Sequence, residues 1–245
     1  MLALQTFTNP AAGEDPSGKL LPGAKPLTLE GDLAERMLDG AHRYLDRKLK
    51  QAVAQRAKRW AAANASPKER EAFLKEARRE LARILGVTDG RVPFEAPSLA
   101  GTTVRPAKVA TGDGYEVFAI RWPTLDGVFG EGLLLQPAGR KPTADVVAIP
   151  DADQTPEAFA GLTEGTRAEA QFPRRLAEAG CRVVVPALVD RTIRAQSERR
   201  RGVRLSNREF LHRPAFLMGR TLQGYELQKV LAIVDWFSKD KGRPI

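Results

Sequence analysis

Two short runs of almost unbroken apolar residues constrain this chain most: Val146-Val147-Ala148-Ile149-Pro150 and Val183-Val184-Val185-Pro186. Neither alternates polar with apolar, as a strand with one wet face would. A run that is apolar at every position suits a strand covered on both faces, and such strands belong to parallel sheets flanked by helices. Between the runs, Arg167–Ala179 has helical periodicity and ends at Gly180, a natural stop. Strand, helix, strand at this spacing is a βαβ unit, which sets the fold class as α/β. The expected strand limits are 144–150 and 181–188.

Upstream, Tyr115 to Trp122 and Val128 to Gln136 read as two strands joined by the turn-forming run Pro123-Thr124-Leu125-Asp126-Gly127. Earlier still the period is helical. Leu33, Met37, Ala41, Tyr44, Leu45, Leu49, Val53 and Trp60 recur at three- and four-residue steps and put one apolar stripe on a long helix. Ser66-Pro67-Lys68-Glu69 restarts the pattern: Ser66 can cap, Pro67 suits the first helical position and Glu69 can complete a capping box. Phe73, Ala77, Leu81, Ile84 and Leu85 stripe that second helix and Gly86 caps it. The expected organisation is a flexible, Pro- and Gly-rich arm over 1–30, a helical hairpin over 31–90 that packs its stripes on something else, and the α/β region over 91–245. After the second buried strand come an arginine-rich loop, a capping box at Ser206-Asn207-Arg208-Glu209, a helical run kinked near Pro214, and a final helix over Gly224–Phe237.

The chain has 245 residues with 42% apolar content, enough for a real core. Its formal net charge of +9 favours an acidic partner and leaves the fold open. One cysteine, Cys181, excludes an internal disulfide. No stretch is long enough to span a membrane, and no membrane partner is expected. Met1–Thr8 lacks the charged and apolar regions of a secretory signal, so the cytoplasm is the default location, with export of a longer form left open.

Over residues 103–245 the order of these features resembles α/β-hydrolases of the dienelactone hydrolase and acetylxylan esterase type. An antiparallel strand pair comes first. Val146-Val147-Ala148-Ile149-Pro150-Asp151-Ala152-Asp153 is similar to the third strand and its oxyanion loop, and Val183-Val184-Val185-Pro186 to the fourth strand. Gly224-Tyr225-Glu226-Leu227-Gln228-Lys229-Val230-Leu231 with Val234-Asp235-Trp236-Phe237 is similar to the helix that delivers the nucleophile strand. The resemblance implies the first four strands of such a sheet in the order first, second, fourth, third, preceded by the helical extension. It also implies hydrolysis of a small-molecule carboxylic ester by a serine, without a cofactor.

The chain departs from that pattern where the chemistry lies. No Gly-x-Ser-x-Gly occurs in it, and Lys239-Asp240-Lys241-Gly242-Arg243-Pro244-Ile245 reads as a helix stop and the first residue of the next strand. The expectation is a portion cut before the nucleophile elbow, inactive by itself, with the third strand left as an open edge through which copies self-associate. The loop candidates for an oxyanion donor are Asp151, Ala152 and Asp153, where two carboxylates would oppose a developing negative charge unless they point away. An Asp-rich turn capping a strand end is the plainer reading. The competing function is a non-catalytic basic module whose Arg191–Arg213 loop holds an anionic partner weakly and without sequence preference. Its anion-binding candidates are Arg199, Arg200, Arg201 and Arg204. That loop has no interleaved aromatics for stacking, and a solvated loop paired with acidic residues is the simpler expectation. Cys181 reads as a buried structural thiol, and His42 and His212 as solvated or hydrogen-bonded, with no second ligand at metal spacing. Asp190 ends the fourth strand, where α/β folds place function, though capping or pairing with Arg191 is the simpler role.

Overall fold

The computed structural model describes residues 29–195, 204–240 and 242–245. The chain divides into two compact units, residues 1–70 and 71–245. The first holds helix α1 (Leu33–Ala63) and the opening turn of α2 (Pro67–Leu85). Asp32 starts α1 by accepting the amides of Ala34 and Glu35. The break between the helices comes where Ser66 and Pro67 predict it. Ser66 Oγ accepts the Glu69 amide at 3.2 Å and donates to the Glu69 carboxylate at 2.7 Å. The α1 stripe departs from expectation, because Met37, Tyr44, Leu45, Leu49 and Val53 are exposed. Lys48 stands four residues after Tyr44 and Arg56 seven after Leu49, so the apolar face carries charges that resist burial.

The second unit is built on a mixed sheet of β1 (Ser98–Leu99), β2 (Lys108–Gly112), β3 (Tyr115–Leu125), β4 (Val128–Pro137), β5 (Asp145–Val147) and β6 (Arg182–Pro186). The order is β1-β3-β4-β6-β5, with β2 also paired to β3. Strand β4 runs antiparallel to β3 and β6, whereas β5 and β6 are parallel. Counting from β3, the order is first, second, fourth, third, as the resemblance implies. Helices α3 (Pro156–Phe159) and α4 (Phe172–Glu178) sit on one face with a core of Val117, Leu135, Phe159, Ala177, Val183 and Val185. On the other face Ile120, Trp122, Leu134 and Val184 pack with Ile233 and Phe237 of α6 (Leu222–Phe237). Successive β6 valines therefore serve opposite cores, which is why the run is apolar throughout. Each of the three is fully buried and contributes about 1.5–3 kcal/mol.

Two expectations need correction. The helix expected over Arg167–Ala179 is a 3-10 turn at Ala168–Ala170 followed by the two-turn α4. Pro173 lacks the N–H that would carry the helix through, and the Gln171 side chain instead donates to the Thr166 carbonyl. The arginine loop is bracketed by a strand pair, β7 (Ile193–Ala195) and β8 (Arg204–Ser206). Pro214 sits inside α5 (Asn207–Leu217), and the chain turns at Gly219, with φ of 70°, before Thr221 caps α6. The 1–30 arm lies almost wholly outside the described residues.

Helix α6 is fastened to the end of α2 at close range. A Cβ on Gly224 would lie 2.1 Å from the Leu85 carbonyl oxygen, so only glycine fits. Thr221 Oγ1 donates to that same carbonyl at 2.8 Å. Arg220 grips Asp89 through two nitrogens, and Gln228 donates to the Asp89 carbonyl. These ties fix the start of α6 to the end of α2 and to the Asp89 segment, while Ile233 and Phe237 pack it on the sheet.

Candidate functional site

The carboxyl ends of β5 and β6 lie side by side because the strands are parallel, and the loops that leave them build a cleft of about 330 Å³. Its walls are Ile120 of β3, Gly132 and Leu133 of β4, Ala152 to Glu157 after β5, and Ala187, Leu188 and Asp190 after β6. Gly132 allows the narrow side to close: a Cβ there would lie 2.2 Å from the Val185 carbonyl oxygen. The lining offers backbone amides, the Thr155 hydroxyl and the carboxylates of Glu131, Asp153, Glu157 and Asp190. Thr155 Oγ1 already accepts the Ala158 amide as the α3 cap.

The loop expected to carry the oxyanion donor follows β5, with Ala152 and Asp153 in the cleft lining, and both of its aspartates are held by Arg191 of the loop after β6. Arg191 Nη1 donates to Asp151 Oδ1 at 2.9 Å and to Asp153 Oδ2 at 2.7 Å, and the Arg191 amide donates to Asp153 Oδ1 at 3.1 Å. Asp151 Oδ1 also accepts the Asp153 amide at 3.1 Å. That backbone bond, with the Arg191 guanidinium next, holds the Asp151 carboxyl below its ordinary value. The neighbouring Asp190 caps the turn that follows it. It accepts from the Thr192 amide at 3.0 Å and the Asn207 side chain at 2.7 Å, and so ties the β6 loop to the start of α5.

Sequence reasoning missed what holds that loop from below. Glu226 of α6 accepts two bonds from Arg208, at 2.7 and 2.9 Å, and one from the Val189 amide at 3.2 Å. Arg208 also donates to the Val189 carbonyl at 2.7 Å, and Lys229 Nζ to the Ala187 carbonyl at 3.0 Å. Burial pushes the Lys229 amine below its ordinary 10.5. The available signal was Glu226, Gln228 and Lys229 on a helix otherwise rich in Leu, Val and Ile, since polar residues there must find partners.

Of the arginine-loop candidates, Arg199, Arg200 and Arg201 lie outside the described residues. Arg204 is exposed and lines a second cleft of about 530 Å³ with Arg191, Arg208, Glu209, His212 and Leu222. Arg191, Arg208 and Arg213 each pair with a carboxylate. Cys181 is half-buried beside the α4 core, 3.9 Å from Thr143 Oγ1. His212 Nδ1 accepts the Leu222 amide at 3.5 Å, and its ring packs 5.8 Å from Phe216. His42 is exposed on α1. No group of metal-binding side chains and no helix long and apolar enough to cross a membrane occurs among the described residues.

Fold and cleft together define an α/β protein whose mixed sheet carries its cleft at the carboxyl ends of the parallel pair. No protein-family model matches the chain, and no curated protein matches it. Among solved structures it is similar to a protein provisionally named an acetyl xylan esterase, from Bacteroides fragilis NCTC 9343. The two share 19% identity with a TM-score of 0.49 over 73% of this chain and 46% of that one. It is also similar to the methylesterase BT1017, with 21% identity and a TM-score of 0.37 over 54% of this chain and 28% of that one. The chain thus spans less than half the length of either protein.

Proposed function

We propose that this chain forms the first part of a serine-type carboxylic ester hydrolase of the α/β-hydrolase kind and is catalytically silent by itself. The observation that supports this reading best is the sheet order β3-β4-β6-β5, with β4 antiparallel and a cleft at the carboxyl ends of β5 and β6. Residues 31–90 serve as a helical extension of that domain. The loop after β5 supplies the Ala152 amide as an oxyanion donor, and Ile120, Leu133 and Leu188 supply an apolar wall for the acyl group of a small-molecule ester. Silence follows from the missing nucleophile. The chain has no Gly-x-Ser-x-Gly, and among the described residues the lining of the cleft holds no histidine to activate a hydroxyl.

Two measurements test this. Reading the gene past the Ile245 codon is expected to reveal a strand ending in Gly-x-Ser-x-Gly, and a strand without that serine overturns the ester hydrolase. Incubating the purified chain with a short-chain p-nitrophenyl ester and a fluorophosphonate probe is expected to give neither turnover nor labelling. Turnover together with labelling of a single serine contradicts the silence. The competing reading, a basic module holding an anionic partner through the Arg191–Arg213 loop, has less support because Arg191, Arg208 and Arg213 are engaged by carboxylates.

A further inference from the structure

We propose that helix α1 is a docking surface for an anionic lipid bilayer: it lies in the plane of the headgroups, with its apolar stripe at the acyl boundary and its arginines and lysines near the lipid phosphates. The inference uses α1 alone and is separate from the ester hydrolase reading. Three observations lead to it. First, at 3.6 residues per turn Leu38, Leu45, Leu49, Val53 and Trp60 fall within an arc of ~80°, and each is 44–66% exposed. Second, Arg36, Arg43, Arg47, Lys50 and Lys58 occupy another arc of ~80° on the other side of the helix, and all five are exposed. Third, α1 carries eight Arg and Lys against three acids, Glu35, Asp39 and Asp46, and beyond Asp46 its only charges are positive.

Charge complementarity selects the occupant. A second copy would set two helices of the same sign against each other, and a packed seam would bury Arg56, which stands on the stripe seven residues after Leu49. A nucleic acid would neutralise the cations and leave the stripe in water. An anionic bilayer serves both faces. The stripe enters the acyl boundary, while Lys48 and Arg56 lay their stems over it and keep their charges at the headgroups. Lys48 Nζ stands 5.5 Å from the centre of the Tyr44 ring, at the flank of the stripe. Tyr44 and Trp60 have the amphipathic rings suited to that depth. Among the described residues no helix is long and apolar enough to cross a membrane. The lack of a spanning stretch set the expectation of no membrane partner, but a helix lying in the interface requires none.

The test floats the full chain with vesicles on a density gradient, where free protein and aggregates stay at the bottom. Flotation is expected with mixed phosphatidylglycerol and phosphatidylcholine at low salt, and little with phosphatidylcholine alone. Raising the salt weakens it, because screening removes the attraction. Leu45→Glu combined with Leu49→Glu is expected to abolish flotation while keeping the wild-type unfolding midpoint, which shows that the fold is intact. Arg47→Gln combined with Lys58→Gln leaves the stripe whole and is expected to bind about tenfold more weakly. A wild-type chain that does not float, or that floats equally with neutral vesicles, overturns the proposal. So does a Leu45→Glu, Leu49→Glu chain that floats like wild type, since charge alone would then explain the binding. Tighter binding to polyglutamate than to the anionic vesicles assigns the helix to an acidic protein instead. A lipid-free wild-type dimer that Leu45→Glu with Leu49→Glu dissociates assigns the stripe to a second copy, which also overturns the proposal.

Discussion

Arg208 and Glu226 meet fork to carboxylate beneath the cleft, with side chains only 18% and 11% exposed. Two charges at that depth are tolerable because each keeps a second partner: Glu226 the Val189 amide, Arg208 the Val189 carbonyl. Removing one partner strands the other. Arg208→Ala is expected to destabilise the chain by about 3–5 kcal/mol, measured by urea unfolding. The apolar pair Arg208→Met with Glu226→Leu is expected to cost far less, and equal losses for the two would show that charge burial is not the cause. Lys229 carries a pH signature. Its folded pKa lies below 10.5 because burial penalises the charged amine, so the unfolded chain binds more protons as pH nears 10.5 from below. Stability is therefore expected to rise across that interval. Unfolding midpoints should show this limb in the wild type and a flatter one in Lys229→Met.

At the scale of elements, the close approach of α6 to α2 is the sharpest constraint. Gly224 has its missing Cβ position 2.1 Å from the Leu85 carbonyl oxygen, backbone that cannot swing aside. Gly224→Ala must therefore push α6 off the end of α2, at an expected cost of about 1–3 kcal/mol by thermal or urea unfolding. An unchanged midpoint would mean that the helices separate freely. The same pair of elements shows what was legible in sequence and what was not. Both buried strands, the β3–β4 hairpin and the Ser66 and Ser206 caps could be read, because each depends on residues within a few positions of one another. The loop Asp151–Asp153 was expected after the first buried strand, and Ala152 and Asp153 of that loop line the cleft. The clasp on that loop did not, because Arg191 lies forty residues from Asp151 in the chain and nothing local distinguishes it from seven neighbouring arginines. The expected helix over Arg167–Ala179 failed at Pro173, where periodicity was followed past a residue without an N–H. The short strands β7 and β8 were missed because three residues each, Ile193–Ala195 and Arg204–Ser206, are too few to establish a period.

For the whole molecule, the exposed flank of the sheet decides behaviour in solution. Strand β5 has β6 on one side, and on the other the Pro244 carbonyl accepts the Asp145 amide at 2.9 Å. Arg243 joins Arg182 on the buried Asp145 carboxylate, so this first rung is held by charge as well as by backbone. Beyond that rung the flank continues along Val146 and Val147 to Ile149, which is 52% exposed. A run of β-branched residues with no charge on it is a template for another strand. The purified 245-residue chain is therefore expected to self-associate in a concentration-dependent way, seen by size-exclusion chromatography with light scattering. Ile149→Lys, which places a charge on the exposed flank without entering the core, is expected to shift the population towards monomer while leaving the unfolding midpoint nearly unchanged. A wild-type chain that stays monodisperse and monomeric across the concentration range would show that the β5 flank is covered. An Ile149→Lys chain that associates as strongly as wild type would place the contact elsewhere, and the exposed α1 stripe of Tyr44, Leu45, Leu49 and Val53 would be the next surface to charge.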